Sequence, residues 1–158
     1  MSSQEPAEPQ AEGQEGGSRQ VVAFTLGRDE YAVPITQVQE IIRYAEPRSM
    51  PGAPPGVEGV INLRGRIIPV MNLRNTLGAA GELTDQAKIV VVRPAQETVG
   101  LVVDEVTEVR TIGADQLEAA PAGASGMGAD VVDCVAKLDD GRLLVLLDLP
   151  RLLEASGS

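Results

Sequence analysis

The 158-residue chain has no histidine and no tryptophan, and only one cysteine, one phenylalanine and two tyrosines. Without histidine it lacks the usual general base, the usual proton shuttle and the commonest protein metal ligand. A single cysteine cannot close an internal disulfide, which fits a reducing compartment. Aromatic residues make up 2% against 43% hydrophobic residues, so the core has to be built from Val, Leu, Ile and Ala. Basic residues are outnumbered: 13 Lys and Arg face 23 Asp and Glu, for a net charge of −10. Glu5, Glu8, Glu12 and Glu15 supply four of those charges, which leaves 23 − 4 = 19 acidic residues in the body. A body of that sign is unsuited to nucleic-acid phosphates or to anionic lipid. No apolar run reaches the roughly 18 residues of a membrane span. The opening MSSQEPAEPQAEGQEGG has neither the basic nor the apolar region of a secretory signal. The expected location is the cytoplasm, and the partner class left standing is protein.

Residues 1–18 contain no Val, Ile, Leu or aromatic side chain. They bury too little to offset their ordering entropy and are expected to form a disordered acidic tail, with the folded domain over 19–156. From Gln20 the apolar runs are QVVAFTL, EYAVPI, GVINL, RIIPVMNL, AKIVVV, TVGLVV, DVVDCVAKL and RLLVLLDL. They are short, mostly rich in β-branched residues and separated by Gly, Asp, Pro or Asn, the pattern of an all-β chain.

The folded part also repeats itself. Tyr31–Ile41 lies over Val99–Val109, an offset of 99 − 31 = 68, with Val38 over Val106 and Glu40 over Glu108. Gly65–Leu73 lies over Gly141–Leu149, an offset of 141 − 65 = 76. The second half therefore carries about eight extra residues, expected in the Ala/Gly-rich segment 113–130. Two aligned segments in the same order, each with a Gly-Arg turn signal, point to a duplication. Each half ends on a helix signal: Asn72 and Asp148 as N-caps, followed by Leu73/Leu77 and Leu149/Leu153. Pro150 suits the first turn of the second helix. Two small, partly open barrels packed together follow from that pattern, with a groove between them.

The search for chemistry returns little. Cys134 lies in an alternating run with no His or second Cys to activate it, and is expected to be a core residue. The acidic pairs Asp29-Glu30, Asp104-Glu105 and Asp139-Asp140 read as turn residues. No phosphate-loop motif occurs. No catalytic residue, metal ligand or cofactor site is expected. Two constellations stand out instead. Val38-Gln39-Glu40-Ile41 sets one charge among apolar residues directly after a strand. Asn62-Leu63-Arg64-Gly65-Arg66 is a tight turn that projects arginines, and Arg64 could pair bidentately with a partner carboxylate. The corresponding turn of the second half, Leu138-Asp139-Asp140-Gly141-Arg142, is acidic.

At these residues the chain resembles the CheW family. The likeness rests on Val38–Ile41, on Gly59-Val-Ile-Asn-Leu-Arg-Gly65, on Ile67–Arg74, on Val99–Asp104 with Val106 and Val109, and on Arg142–Leu149. It spans about residues 20–155. The resemblance implies two SH3-like five-stranded β-barrel subdomains with short helices, and a non-catalytic adaptor. Its implied partners are the histidine kinase CheA, through that kinase's own CheW-like regulatory domain, and the cytoplasmic tips of methyl-accepting chemoreceptors in membrane-anchored arrays. By motif, Val38, Glu40, Ile41, Gly59, Arg64 and Gly65 belong to a partner-binding lobe. Val106 and Val109, also partner-binding by the resemblance, fall near the inter-lobe contacts with receptor and kinase. The competing reading is a small-ligand sensor using the inter-lobe groove.

Overall fold

A computed structural model describes residues 18–52, 57–73, 77, 83–119 and 131–157, with side chains as far as Leu153. The tail expected over 1–18 lies outside the described residues but for Ser18, which opens the first strand. So does 120–130, most of the segment expected to hold the extra residues.

Strands dominate: β1 Ser18–Leu26, β2 Asp29–Pro34, β3 Val38–Arg43, β4 Val57–Leu63, β5 Arg66–Asn72, β6 Lys88–Val92, β7 Val99–Val103, β8 Glu105–Gly113, β9 Leu117–Ala119, β10 Val132–Lys137 and β11 Leu143–Leu147. The helix α1 runs Leu149–Gly157. They form two sheets, ordered β8-β1-β2-β11-β10-β9 in lobe 1 and β3-β6-β7-β5-β4 in lobe 2. The fold is all-β in two subdomains, as expected. Lobe 1 has six strands where five were expected, the sixth being the three-residue β9 that extends β10.

The repeat is visible bond for bond. Leu146 pairs in parallel with Ala32, and Val70 pairs in parallel with Gly100, at offsets of 76 and 68. The irregularities repeat as well. A bulge leaves Gln39 unmatched between Val38↔Val92 and Glu40↔Val91. Its counterpart leaves Thr107 unmatched between Phe24↔Val106 and Ala23↔Glu108. A second pair of bulges falls at Glu58 in β4 and Asp133 in β10. Along β4 and β10 the offset is 134 − 59 = 75, because Gly59 pairs Val70 and Cys134 pairs Leu146. Seven of the eight extra residues therefore precede β10. The eighth sits in the β10–β11 turn, a correction to placing all of them within 113–130.

Each lobe combines strands from both halves of the chain. β3 follows β2 of lobe 1 yet pairs with β6 of lobe 2, and β8 follows β7 of lobe 2 yet pairs with β1 of lobe 1. Lobe 2 is thus one continuous run, β3 to β7, set between β2 and β8 of lobe 1.

Period-2 alternation explains which faces are apolar. In β6, Ile89 and Val91 line the lobe 2 core while Val90 and Val92 face the core between the lobes. In β1, Val21 and Ala23 line lobe 1 and Val22, Phe24 and Leu26 face between the lobes. Strands packed on both faces read as unbroken apolar runs, which is how Ile89–Val92 and Val99–Val103 look in the sequence. The inter-lobe cluster holds 15 buried residues, against nine in lobe 1 and six in lobe 2. At roughly 1.5–3 kcal/mol for each fully buried large aliphatic side chain, it is the main source of cohesion.

The terminal helix closes this core. The Asp148 carboxylate accepts the Arg151 N–H at 3.1 Å, the expected N-cap, and Leu149 and Leu152 are fully buried against the inter-lobe cluster. After β5, Leu73 and Leu77 are helical and pack on the same cluster, while the residues between them lie outside the described set.

Leu101→Ala, which empties part of the inter-lobe core, is expected to cost about 2–5 kcal/mol. Because both lobes feed the inter-lobe core, chemical denaturation should still give one transition by fluorescence-independent probes such as circular dichroism. Two separated transitions would show that the lobes unfold independently of that core.

Candidate functional site

The two constellations singled out in the sequence meet in lobe 2. β4 and β5 are joined by Arg64-Gly65, with φ of 52° and 86°. Positive φ at both central residues makes this a type I′ turn, the form whose twist matches flanking strands. Asn62 Oδ1 accepts the Gly65 N–H at 2.8 Å and pins the turn. Arg64 is the one non-glycine residue at positive φ among the described residues, a conformation that costs about 1–3 kcal/mol and persists where the surroundings hold it.

What holds it is Glu40. Arg64 Nη1 donates to Glu40 Oε2 at 2.8 Å and Nη2 donates to Oε1 at 2.6 Å. This fork-to-fork geometry fixes both side chains in one plane. Sequence reasoning treated Glu40 as a free charge and Arg64 as a donor for someone else's carboxylate. The structure makes them a single unit across 24 residues of chain. The hydrogen bonds from Arg64 lower the Glu40 pKa below the ordinary carboxylate value, and those same bonds raise the Arg64 pKa.

The bulge at Gln39 is what brings Glu40 into line. An extra residue in a strand bends it and re-aims the side chains that follow. Val38 packs on the inter-lobe core and Ile42 on the lobe 2 core, while Ile41 points outward and is 37% exposed.

Gly59 has a different place from its neighbours. It is buried under the chain at Pro47 and Arg48, whose backbone pairs with Val60 at 2.8 and 2.9 Å. A Cβ there would meet Arg48 O at 2.5 Å. Gly59 thus lets the 47–48 segment lie against β4; it offers no surface of its own. Gly65 is exposed, with open space around it, and its role is the turn.

Val106 and Val109 fall on β8 in lobe 1, at the repeat positions of Val38 and Ile41. Val106 packs against the inter-lobe core, and Val109 is 55% exposed. The contact between the remaining repeat-mates was not foreseen in the sequence. Glu108, the counterpart of Glu40, lies 3.5 Å from Arg142, which leaves the β10–β11 turn. Arg142 also reaches Glu30 at 3.0 Å and Asp140 at 2.9 Å, and Arg110 reaches Glu108 at 2.9 Å. The signal was present: Glu108 aligns with Glu40, and Arg142 sits in the turn that aligns with that of Arg64. The second turn is one residue longer. Gly141 at φ 93° donates to Leu138 O, and Leu138 N–H donates to Arg142 O, a three-residue loop.

Other carboxylates serve turns. Asp104 Oδ2 accepts the Gly27 N–H at 2.8 Å, tying the β1–β2 turn to the other half of the chain. Asp140 Oδ1 accepts the Arg142 N–H, and that bond lowers the Asp140 pKa. Burial raises the Cys134 thiol pKa, and its Sγ lies 3.8 Å from Arg19 Nη1. A buried thiol with a raised pKa is a poor nucleophile at neutral pH.

A family model described as the CheW-like domain matches residues 20–157. The chain belongs to the CheW family. The chemotaxis protein CheW of Bacillus subtilis is 33% identical over 139 residues, covering 87% of this chain and 88% of that protein. The CheW of Klebsiella aerogenes is 34% identical over 138 residues, covering 87% and 82%. Protein PilI of Pseudomonas aeruginosa is 34% identical over 86 residues, covering 54% and 48%. The crystal structure of the scaffolding protein TtCheW from Thermoanaerobacter tengcongensis matches with a TM-score of 0.79 at 30% identity, covering 89% of this chain and 95% of that one. These comparisons give no support to the ligand-sensor reading. No helix among the described residues is long and apolar enough to cross a membrane.

The Glu40 pKa is lower in the folded chain than its ordinary value, so its pairing with Arg64 stabilises the fold at neutral pH. That contribution should disappear as pH falls from the ordinary carboxylate range through the depressed Glu40 pKa. Glu40→Gln should therefore flatten the acid limb of the stability profile; an unchanged limb would separate the pair from stability. Gly59→Val should push the 47–48 segment off β4 and destabilise the chain by about 1–3 kcal/mol, measured by thermal unfolding.

Proposed function

We propose that this chain is a non-catalytic coupling adaptor that links the cytoplasmic tips of chemoreceptors to the histidine kinase CheA. The observation that carries the reading is the CheW-like match over the whole described domain, together with the likeness to a scaffolding protein over 95% of that structure. The internal use of the carboxylates supports it further. Asp104 and Asp140 are committed to turn hydrogen bonds, and Glu40 is held by Arg64. Such groups shape a surface and leave the chemistry to partners.

In this reading the lobe 2 unit of Val38, Glu40, Ile41, Arg64 and Gly65 is a partner-binding surface. Gly59 acts beneath it by seating the 47–48 segment. Ile41 supplies exposed apolar area, and the forked ion pair presents a fixed guanidinium edge. A side chain held in place loses little entropy on binding, so it contributes more of its interaction to affinity. Arg64 keeps 69% of its side-chain surface exposed while paired, against 29% for Glu40, so Arg64 is the member a partner meets.

Co-sedimentation with CheA and a receptor fragment tests the function directly, and failure to enrich the chain with either would end the adaptor reading. Arg64→Ala should weaken that association tenfold or more, about 1.4 kcal/mol, with unfolding still cooperative. A fully unfolded Arg64→Ala chain would instead make Arg64 a structural residue.

A further inference from the structure

β8 lies at one edge of the lobe 1 sheet and, among the described residues, pairs with β1 alone. It is nine residues long, against six for β3, its counterpart at the edge of lobe 2. One row of its backbone N–H and C=O groups therefore faces away from the sheet, a template for a further strand. Thr107, Val109 and Thr111 are exposed along it, Val109 by 55%. The bulge at Thr107 bends the strand, but from Glu108 to Gly113 the ladder with β1 is regular.

Charge commonly blunts such an edge, and β8 carries Glu108 and Arg110. Their order decides what the charge does. Opposed residues of an antiparallel pair share a face, so β8 meets the β8 of a second copy only in registers centred on a single residue. Centred on Val109, the pairing sets Glu108 opposite Arg110 twice, Val109 opposite Val109, and Thr107 opposite Thr111. Centred on Glu108 or on Arg110 it sets like charges opposite each other, which is destabilising. The edge thus repels itself in the neighbouring registers and complements itself in one. Both charged side chains are within reach: Glu108 keeps 35% and Arg110 28% of its side-chain surface exposed while they meet at 2.9 Å. β3 lacks this property. Ile42, packed on the lobe 2 core, stands at the repeat position of Arg110, and Glu40 is already held by Arg64 at 2.6 Å.

We propose that the free edge of β8 is a homodimerisation surface: two copies pair antiparallel about a twofold axis at Val109, joining their six-stranded lobe 1 sheets edge to edge. Such a contact uses the same patch on both copies and closes at two. Main-chain hydrogen bonds supply the attraction, and the two Glu108–Arg110 crossings select the register. The net charge of −10 on each chain opposes the encounter, over distances that salt screens.

The inference concerns the chain by itself, so its failure leaves the adaptor reading where it stands. Sedimentation equilibrium of the full chain at about 0.15 M salt should show mass rising with concentration to that of a dimer and no further. Arg110→Glu and Glu108→Arg should each weaken dimerisation about tenfold or more, because each sets like charges opposite. An equimolar mixture of the two variants should restore it, with Glu against Arg at both crossings, and so should one chain carrying both substitutions. Circular dichroism of each variant checks that the fold is kept. The register has its own readout. Val109→Cys should cross-link between copies under copper phenanthroline, because the two thiols meet at the axis. Thr111→Cys, on the same face but roughly 13 Å along the strands from its mate, should not, and the parent chain with its buried Cys134 is the control. Mass that stays at the monomer or climbs past the dimer, single variants that dimerise like the parent, or equal cross-linking at positions 109 and 111 would each overturn the proposal.

Discussion

The apolar core between the lobes is the constraint on which the rest of the molecule depends. Each lobe alone encloses a small cluster, nine buried residues in one and six in the other, and the 15 between them exceed either. Five of those 15, including Val22 and Leu147, come from strands of lobe 1, and six, including Val90 and Leu101, from strands of lobe 2. The chain crosses between the lobes only twice, from β2 to β3 and from β7 to β8, and pulling the lobes apart would expose this core at once. A domain of this size with almost no aromatic residues gains its cohesion from that shared core, not from a few large side chains.

The first of those crossings positions the functional surface. β3 leaves lobe 1 after Pro34 and must enter lobe 2 beside β6, and the bulge at Gln39 sits just after that crossing. The bulge turns Glu40 toward the β4–β5 turn, and Glu40 in turn fixes Arg64 in a conformation that a non-glycine residue adopts only when held. Turn strain, ion pair and strand crossing are therefore one device. That β8 carries its bulge at the equivalent Thr107, followed by Glu108, shows that the device belongs to the repeat unit. In lobe 1 the extra turn residue moves the arginine from the Arg64 position to that of Arg66, and the gap to the glutamate widens from 2.6 to 3.5 Å.

Much of this was legible in the chain. The all-β class follows from short β-branched runs cut by turn residues, and the duplication from two aligned segments with their offsets. Gly65 and Gly141 both take positive φ, as a turn glycine should. What could not be read was partnership at a distance. Nothing local says that Glu40 and Arg64 touch across 24 residues, because that contact depends on which sheet β3 joins. Sequence order places β3 with β2; only the packing of its alternating face on Val90 and Val92 places it with β6. The extra turn residue was hidden for a similar reason: Gly141 and Gly65 align by type, and only the strand register before them reveals the offset of 75 instead of 76. Gly59 looked like a surface residue because it lies in a motif of surface residues, whereas its need is steric, with Arg48 O where a Cβ would go.

A duplicated scaffold with unlike turns has a consequence for how its two lobes are told apart. Two lobes with equivalent backbones offer equivalent shapes, so shape alone cannot tell a partner which lobe to choose. Charge can, because a turn tolerates substitution more readily than a strand packed on both faces. The strands that carry shape are fixed by the inter-lobe core, where Val99, Leu101 and Val103 leave no room for polar side chains. The turns that carry charge lie at the periphery, and there the two halves have diverged into Arg64-Gly65-Arg66 and Asp139-Asp140-Gly141. Polarity in such a molecule is thus written where the fold is least constrained, on a frame that the core keeps the same in both halves.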